Sequence, residues 1–408
     1  MLQFWQLFQG LYTLFTSEPK IAIGRVVLIL LGFLLIYGAY KKVLEGLIMI
    51  PMGMGMITVN GAFLVLEAGK YGNIFVDPLL SGPTALMNIL QINFLQPIYT
   101  FAFSNGLIAC LVFMGIGAIT DIDYLIASPM TSMMLAVAAE FGTFFTFPVA
   151  LACGLNPGQS AAVAIIGGAD GPMVLFTSLM LAKDLFVPIT VVGYLYLSLT
   201  YGIYPFLIKW LVPKRLRGLE MDWRTIPRIP RGEKLAFTAV AAAVLCLLFP
   251  VAGPLYFSFF VGVAIKESDL PRHVQFLSEP ILYGSTFFLG SLLGVLMSAD
   301  IIMNAKVLML LLLGLLAILL SGLGGLAGGF IGYKLTKGKM NPLIGIAAVS
   351  CVPTTAKIAQ KEAFLANKWA MILPFAMGPN VAGVITTSII CGIYVTGIPM
   401  VSKLLLGS

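Results

Sequence analysis

The chain has 408 residues, 59% of them hydrophobic and only 10% charged, with a mean hydropathy of +1.00. Soluble domains do not carry that balance, so the solvent of most of this chain is lipid. The net charge of +7 comes from basic residues gathered where the chain leaves its apolar segments; it speaks of topology, not of nucleic-acid binding.

The first twenty residues, MLQFWQLFQGLYTLFTSEPK, mix aromatic and Leu positions with Gln, and have neither a basic start nor a small-residue cleavage site. Residues 1–20 are therefore expected to form an interfacial amphipathic helix and not a signal peptide. A spanning helix needs roughly 20 mostly apolar residues to cross about 30 Å of hydrocarbon. Apolar runs at 21–40, 43–66, 89–120, 128–154, 159–181 and 186–210 make a first membrane half, 21–211. Runs at 235–250, 254–265, 281–297, 307–335, 341–363 and 370–399 make a second, 235–408. The continuous apolar run 307–320 fits a helix in lipid and not the alternating ten-residue strands of a membrane barrel. The predicted fold class is an all-α polytopic membrane protein.

Between the halves lies the connection 212–234, part of KWLVPKRLRGLEMDWRTIPRIPRGEK, with Lys209, Lys214, Arg215, Arg217, Arg224, Arg228, Arg231 and Lys234 against Glu220, Asp222 and Glu233. The positive-inside rule makes it cytoplasmic, touching anionic membrane lipid or docking an acidic soluble partner. Cys110, Cys153, Cys246, Cys351 and Cys391 stand singly in apolar segments, and His273 is the only histidine. Disulfides, structural zinc and a multi-histidine metal site are not expected; the chemistry falls to carboxylate, hydroxyl and amide oxygens.

The two halves share a pattern. Asn156-Pro157 opens LNPGQSAAVAIIGGADGPMVLF and Asn341-Pro342 opens MNPLIGIAAVSCVPTTAKIA, each a small-residue run broken by proline. Gly193 lies at the same offset from the first pair as Gly378 from the second. This predicts two inverted-type repeats with discontinuous helices, an architecture that places a transport site where the repeats meet.

In IGGADGPMVLF, Gly167, Gly168, Gly171 and Pro172 surround Asp170 inside a membrane-length apolar segment. Glycine lowers helix stability by about 1 kcal/mol and interior proline by about 3 kcal/mol, and proline frees an upstream carbonyl. The helix is expected to break at Asp170, setting carbonyls and half-helix ends beside a carboxylate. A charged Asp in lipid costs roughly 2.5–3.5 kcal/mol on insertion scales, to be offset by a cation, a proton or a basic partner such as Lys357. Capping a half-helix is the blander role for the same residue. Ser350, Thr354 and Thr355 around Pro353, and Asn380, Thr386, Thr387 and Ser388 after Pro379, add neutral oxygens. One carboxylate with several neutral oxygens suits a monovalent hard cation, sodium first, although hydroxyls also bond helix carbonyls. Gly378-Pro379 and Gly383 predict a further helix break beside Asn380. Glu140 is a second intramembrane carboxylate, and Tyr196 is able to give a proton or an oxygen or simply to pack. Lys357 neutralises Asp170, attracts an anionic substrate, or snorkels to the interface. The glycines of LSGLGGLAGGFIGY have small-xxx-small spacing and serve helix packing.

GGADGPMVLF, NPLIGIAAVSCVPTTAKIAQK and GPNVAGVITTS, in that order, resemble the β subunit of the biotin-dependent sodium-pumping decarboxylases, over most of the chain. The resemblance implies a membrane subunit that removes CO2 from carboxybiotin, exports sodium and consumes a proton from outside. Its partners would be a biotinyl carrier protein, carboxyltransferase subunits and a small membrane subunit, in a homo-oligomeric assembly of the cell membrane. Carried over, the family's aspartate falls on Asp170 as the sodium ligand and its essential tyrosine on Tyr196, near carboxybiotin. Its later polar motif falls on Asn380, Gly383 and Ser388, near a second ion or the proton path, with Thr387 competing for the place of Ser388. Asp170, Tyr196, Ser388 and Lys357 are then the catalytic candidates, Tyr196 and Lys357 the carboxybiotin-binding ones, and Asp170, Asn380, Ser388, Gly383, Thr354, Thr355 and Ser350 the sodium ligands. The acid leans to malonate, with oxaloacetate, methylmalonyl-CoA and glutaconyl-CoA open. A secondary sodium/proton exchanger, a sodium–solute symporter, or a structural anchor for soluble subunits are the alternatives.

Overall fold

The computed structural model describes residues 7–65, 71–78, 93–302 and 305–406. Helix dominates them; a two-residue antiparallel contact joins β1 (Leu64–Val65) to β2 (Tyr71–Gly72). The helices used below are α1 (Gln9–Thr16), α2 (Pro19–Tyr40), α3 (Gly46–Gly61), α4 (Leu107–Ile119), α5 (Pro129–Ala139), α6 (Phe141–Ala152), α7 (Pro157–Ala164) and α8 (Gly171–Leu181). They continue with α9 (Phe186–Leu211), α10 (Arg231–Leu248), α11 (Gly253–Glu267), α12 (Leu282–Leu296), α13 (Ala305–Leu335), α14 (Leu343–Ala347), α15 (Thr354–Ala366) and α16 (Leu373–Leu406). Within the segment 1–20, α1 covers Gln9–Thr16; residues 1–6 lie outside the described residues.

Among the described residues six stretches are long and apolar enough to cross a membrane: Pro19–Tyr40, Pro129–Ala152, Lys183–Leu211, Pro271–Leu296, Lys306–Leu335 and Leu373–Val401. Gln96–Phe103 and α4, bent by 65° at their break, make up to a seventh. The sequence-predicted span 89–120 is this bent pair, its first residues, 89–92, lying outside the described ones. The chain is an all-α multi-pass membrane protein.

The contacts divide it into two compact bodies, Met1–Ile108 with Tyr283–Leu311, and Ala109–Leu282 with Leu312–Ser408. In the first, α2 and α3 pack through small residues: a Cβ on Gly32 would lie 2.8 Å from the Gly53 carbonyl, and one on Gly53 2.8 Å from that of Gly32. Lipid gives helices no hydrophobic reason to associate, so close backbone approach must do it. The end of α3 is tied by polar groups. Asn60, fully buried, donates Nδ2 to the Met297 carbonyl at 2.8 Å and accepts from the Ala299 N–H at 3.0 Å. Arg25 of α2, also buried, donates Nε to the Asn60 carbonyl at 2.8 Å and Nη2 to that of Gly10 at 3.0 Å.

The second body holds two helical hairpins. In the first, α7 and α8 fold back on each other. A Cβ on Gly158, at the start of α7, would strike the carbonyl of Leu181 at the end of α8, and Gln159 Nε2 donates to Asp184 Oδ2 at 2.6 Å. Asn156 and Gln159 form a capping box that fixes where α7 begins. The sequence predicts one broken span over 159–181; the structure has two pieces side by side. At about 1.5 Å per residue neither the 8-residue α7 nor the 11-residue α8 crosses about 30 Å of hydrocarbon.

The second hairpin is α14 and α15, joined through Ser350–Pro353, with the Thr355 hydroxyl donating back to the Ala347 carbonyl at 3.2 Å. Both its feet stand on one short segment of the basic connection. Asn341 Nδ2 donates to the carbonyls of Arg217 and Leu219, both at 2.9 Å. Asn367 Nδ2 donates to the Gly218 carbonyl at 3.0 Å and to Glu220 Oε1 at 2.8 Å. Buried Glu362 of α15 meets Lys209 and Arg217, each at 3.5 Å.

The glycine stripe of α13 packs as its spacing predicts: a Cβ on Gly325 would lie 2.7 Å from the Gly345 carbonyl, and one on Gly328 2.6 Å from Ala138 Cβ. The expected break beside Asn380 is absent. Helix α16 runs through Pro379, because neighbouring segments satisfy backbone groups that a proline frees, and Gly383 supplies closeness, not a kink, its missing Cβ giving way to the Ala348 carbonyl.

Asn60→Leu keeps the volume but strands two buried backbone groups, at about 1–3 kcal/mol each. Its thermal midpoint in detergent is expected to fall clearly below that of the wild type; an unchanged midpoint would remove this clasp from the account of the first body.

Candidate functional site

The tip of the first hairpin is written in IIGGAD. Ile165–Gly168 tighten into a 3-10 turn, and Ala169, fully buried, takes the left-handed conformation at φ 54°, which L-residues adopt at a cost. That reversal leaves Asp170 as N-cap of α8, its carboxylate accepting from the Met173 N–H at 3.2 Å. The capping role weighed for this residue is therefore real. It is not the whole role, since its second oxygen, Oδ2, accepts from the Ser350 hydroxyl at 3.0 Å.

Ser350 belongs to the other hairpin's tip, and its N–H donates to the Gly168 carbonyl at 3.1 Å. The two tips thus meet end to end, backbone to backbone and side chain to side chain. Asp170 is only 4% exposed, with the positive end of α8 on one side and a hydroxyl on the other. Lys357 does not neutralise it. That side chain is exposed on α15, and the contacts of the carboxylate are the neutral ones just described.

Asn380 holds the second tip from α16. Its Nδ2 donates to the carbonyls of Ala347 at 2.7 Å and Val349 at 3.1 Å, and lies 2.9 Å from the Thr355 hydroxyl. Two carbonyl acceptors fix the orientation of the amide and leave Oδ1, fully buried, without a hydrogen-bond partner among the described residues. Thr355 spends its hydroxyl on the tip carbonyls of Val349 at 2.7 Å, Ala347 and Cys351. Thr354 is buried in the first turn of α15, and a Cβ on Gly383 would lie 3.3 Å from Ser350 Cα. Ser350, Thr354, Thr355, Asn380 and Gly383 therefore gather at one tip.

Ser388 stands apart. Its hydroxyl donates to the Ile385 carbonyl of its own helix at 2.7 Å, and its carbonyl accepts from Tyr256 at 3.1 Å. Thr386 likewise bonds the carbonyls of Ala382 and Gly383. The neighbour Thr387 points inward: it donates to Glu140 Oε1 and is the side chain a Cβ on Gly168 would meet. Glu140, 2% exposed in the turn between α5 and α6, also accepts from the Thr143 hydroxyl at 2.5 Å. A Cβ on Gly167 would lie 2.5 Å from the Thr143 N–H nitrogen. The second intramembrane carboxylate is thus held by two hydroxyls beneath the first tip.

Tyr196 and Tyr194 sit two residues apart on α9, a turn of about 200°. Tyr196 faces α13, where a Cβ on Gly314 would lie 2.8 Å from its ring. Tyr194 faces the first tip at Gly171, and its buried hydroxyl has no hydrogen-bond partner among the described residues. Thr143, Thr387 and Tyr194 are what residue-type reasoning underrates: a threonine or tyrosine in an apolar run looks the same whether it faces lipid, a helix or a site.

Thr387→Val removes one of the two donors to a buried carboxylate, whereas Ser388→Ala removes one intrahelical bond. A fall in the thermal midpoint is expected for the first and a change within about 0.5 kcal/mol of stability for the second, read from melting curves of the two variants in one detergent; the reverse order would overturn the placement of these side chains.

A family model described as the beta subunit of Na+-transporting oxaloacetate decarboxylase matches residues 24–398. A protein of Malonomonas rubra named carboxybiotin decarboxylase is 53% identical over 97% of this chain and 98% of its own length. The methylmalonyl-CoA decarboxylase β subunit of Veillonella parvula is 32% identical over 90% and 92%, and the oxaloacetate decarboxylase β chain of Klebsiella pneumoniae 31% over 91% and 94%. A match over nearly the whole chain, with a buried carboxylate where two membrane hairpins meet, leads to one conclusion: the chain belongs to the β-subunit family of the sodium-pumping, biotin-dependent decarboxylases.

Proposed function

We propose that this protein decarboxylates carboxybiotin, delivered by a biotinyl carrier protein charged by carboxyltransferase subunits, and uses that step to export sodium across the cell membrane. The observation that carries the reading is the seat of Asp170: a buried carboxylate at the junction of two hairpin tips, bonded only by neutral groups. An uncompensated charge in lipid is costly, and sodium, the cargo, offsets it. The oxygens fit such an ion. Besides Asp170 and the Ser350 hydroxyl, the Asn380 carbonyl oxygen is buried with no partner among the described residues, and hard monovalent cations take neutral oxygens of this kind.

The chemistry balances through a proton. Breaking the N–CO2 bond of carboxybiotin releases CO2 and leaves an electron pair on nitrogen, which a proton taken from outside must fill. In this reading sodium neutralises Asp170 and lets the tips change partners; the returning proton then displaces sodium from the carboxylate and passes on to the biotin nitrogen, so both ions compete for one buried charge. Moving a unit charge against 100 mV requires about 2.3 kcal/mol, supplied by decarboxylation. Tyr196 lies near carboxybiotin in this scheme, Gly383 and Asn380 hold the second tip, and Ser388 borders the proton path. Exposed Lys357 meets the anionic substrate at the surface. The two hairpins, each opened by an Asn-Pro pair, make the halves of an inverted repeat, and a small membrane subunit and further copies of the chain complete the assembly.

For the acid that feeds the complex we favour malonate. The relatives named for oxaloacetate and methylmalonyl-CoA are 31% and 32% identical, while the one at 53% bears neither name.

Purified protein is expected to consume free carboxybiotin only with sodium present, and Asp170→Asn to lower that rate more than about 100-fold, a loss of about 2.7 kcal/mol. Sodium uptake by vesicles without CO2 release would make the protein an ion exchanger or symporter instead, and full activity of Asp170→Asn would unseat the carboxylate.

A further inference from the structure

We propose that the phenolic hydroxyl of Tyr194 is an oxygen ligand of the cation held at Asp170, an assignment that rests on the sodium reading of that carboxylate. The resemblance singles out Tyr196 and is silent on Tyr194. The geometry separates them. Tyr194 is 2% exposed, and its ring lies so close to the first tip that a Cβ on Gly171 would stand 2.5 Å from Cζ and 2.8 Å from the hydroxyl oxygen. Gly171 follows Asp170 directly, so the glycine there is what admits the phenol to the turn that carries the carboxylate.

Two facts about the hydroxyl point to a ligand. It is buried with no hydrogen-bond partner among the described residues, which is costly for a group that phenylalanine would replace without loss of packing. Its neighbour in the tip is a carboxylate that accepts one hydrogen bond at each oxygen, and another buried oxygen without a partner among the described residues, Asn380 Oδ1, belongs to the side chain gripping the opposite tip. Two buried oxygens without partners among the described residues, one beside each tip, are of the kind a hard cation takes as ligands.

A hydroxyl also suits the exchange: it turns its lone pairs to sodium when the ion arrives and accepts from the carboxylic acid when the proton returns. The hydrogen stays on the phenol throughout, so no proton is gained or lost by Tyr194 itself.

The full-length protein in detergent tests this without carboxybiotin. Thermal midpoints are measured for wild type, Tyr194→Phe and Asp170→Asn over a sodium titration at constant ionic strength, with potassium as the replacement. Wild type is expected to gain stability with sodium, as any ligand of the native state confers. Tyr194→Phe is expected to be at least as stable as wild type without sodium, because an unpartnered hydroxyl is gone, and to need about tenfold more sodium or greater for the same gain. A Tyr194→Phe protein weakened equally with and without sodium, its sodium dependence unchanged, overturns the assignment and leaves Asp170 as the site. No sodium gain in the wild type, or an undiminished one in Asp170→Asn, overturns the sodium reading itself and this assignment with it.

Discussion

The contact between the two hairpin tips organises the second body. Ser350 gives its N–H to the Gly168 carbonyl and its hydroxyl to Asp170, so one residue closes an exposed backbone group and half of a buried charge. Neither tip is stable in lipid alone. A chain that turns back within the membrane leaves carbonyls and N–H groups uncovered, each costing several kcal/mol in hydrocarbon, and such turns persist only where protein or water covers them. Here each tip covers the other, and the place where the cover is polar is also where the proposed ion would have oxygens to meet.

The rest of the site reads as support for that junction. Asn380 and Thr355 absorb the carbonyls of Ala347, Val349 and Cys351. Glycines set the clearances: Gly168 against Thr387, Gly171 against Tyr194, Gly383 against Ala348. Because the same groups satisfy the turn and surround the carboxylate, the tips cannot be loosened without also changing what the ion would find there. On the proposed sodium reading, coupling between ion occupancy and hairpin position would need no separate device.

Much of this was legible in the sequence, and the limits are physical. Gly167, Gly168, Asp170, Gly171 and Pro172 announce the break, because backbone propensity is local and glycine and proline state it outright. The break at Pro379 was misread for the complementary reason: whether a proline interrupts a membrane helix depends on neighbours that supply partners, which no window of sequence contains. Reading the broken segments as hairpins required knowing that Gly158 lies beside Leu181 and that Asn341 and Asn367 share one segment of the basic connection, contacts set by folding back and not by composition. Tyr194 and Tyr196 were indistinguishable as letters in GYLYLS. A helix turns them to opposite faces, and only the glycines they meet, Gly171 and Gly314, tell which faces Asp170. Likewise ITTS offers three hydroxyls in a row, and the phase of α16 alone directs Thr387, not Ser388, toward Glu140.

The feet of the second hairpin lead elsewhere. Asn341 and Asn367 clasp consecutive carbonyls of residues 217–219, and Glu362 sits against Arg217 and Lys209. The helical pair is therefore indexed to a stretch of cationic chain outside the lipid, much as a piston is pinned to a crosshead. Both stems are held at their feet to three consecutive carbonyls, so each is positioned by the same short stretch. Any macromolecule that grips those arginines and lysines has a mechanical handle on the far end of the hairpin, some twenty ångströms away at about 1.5 Å per residue of α15.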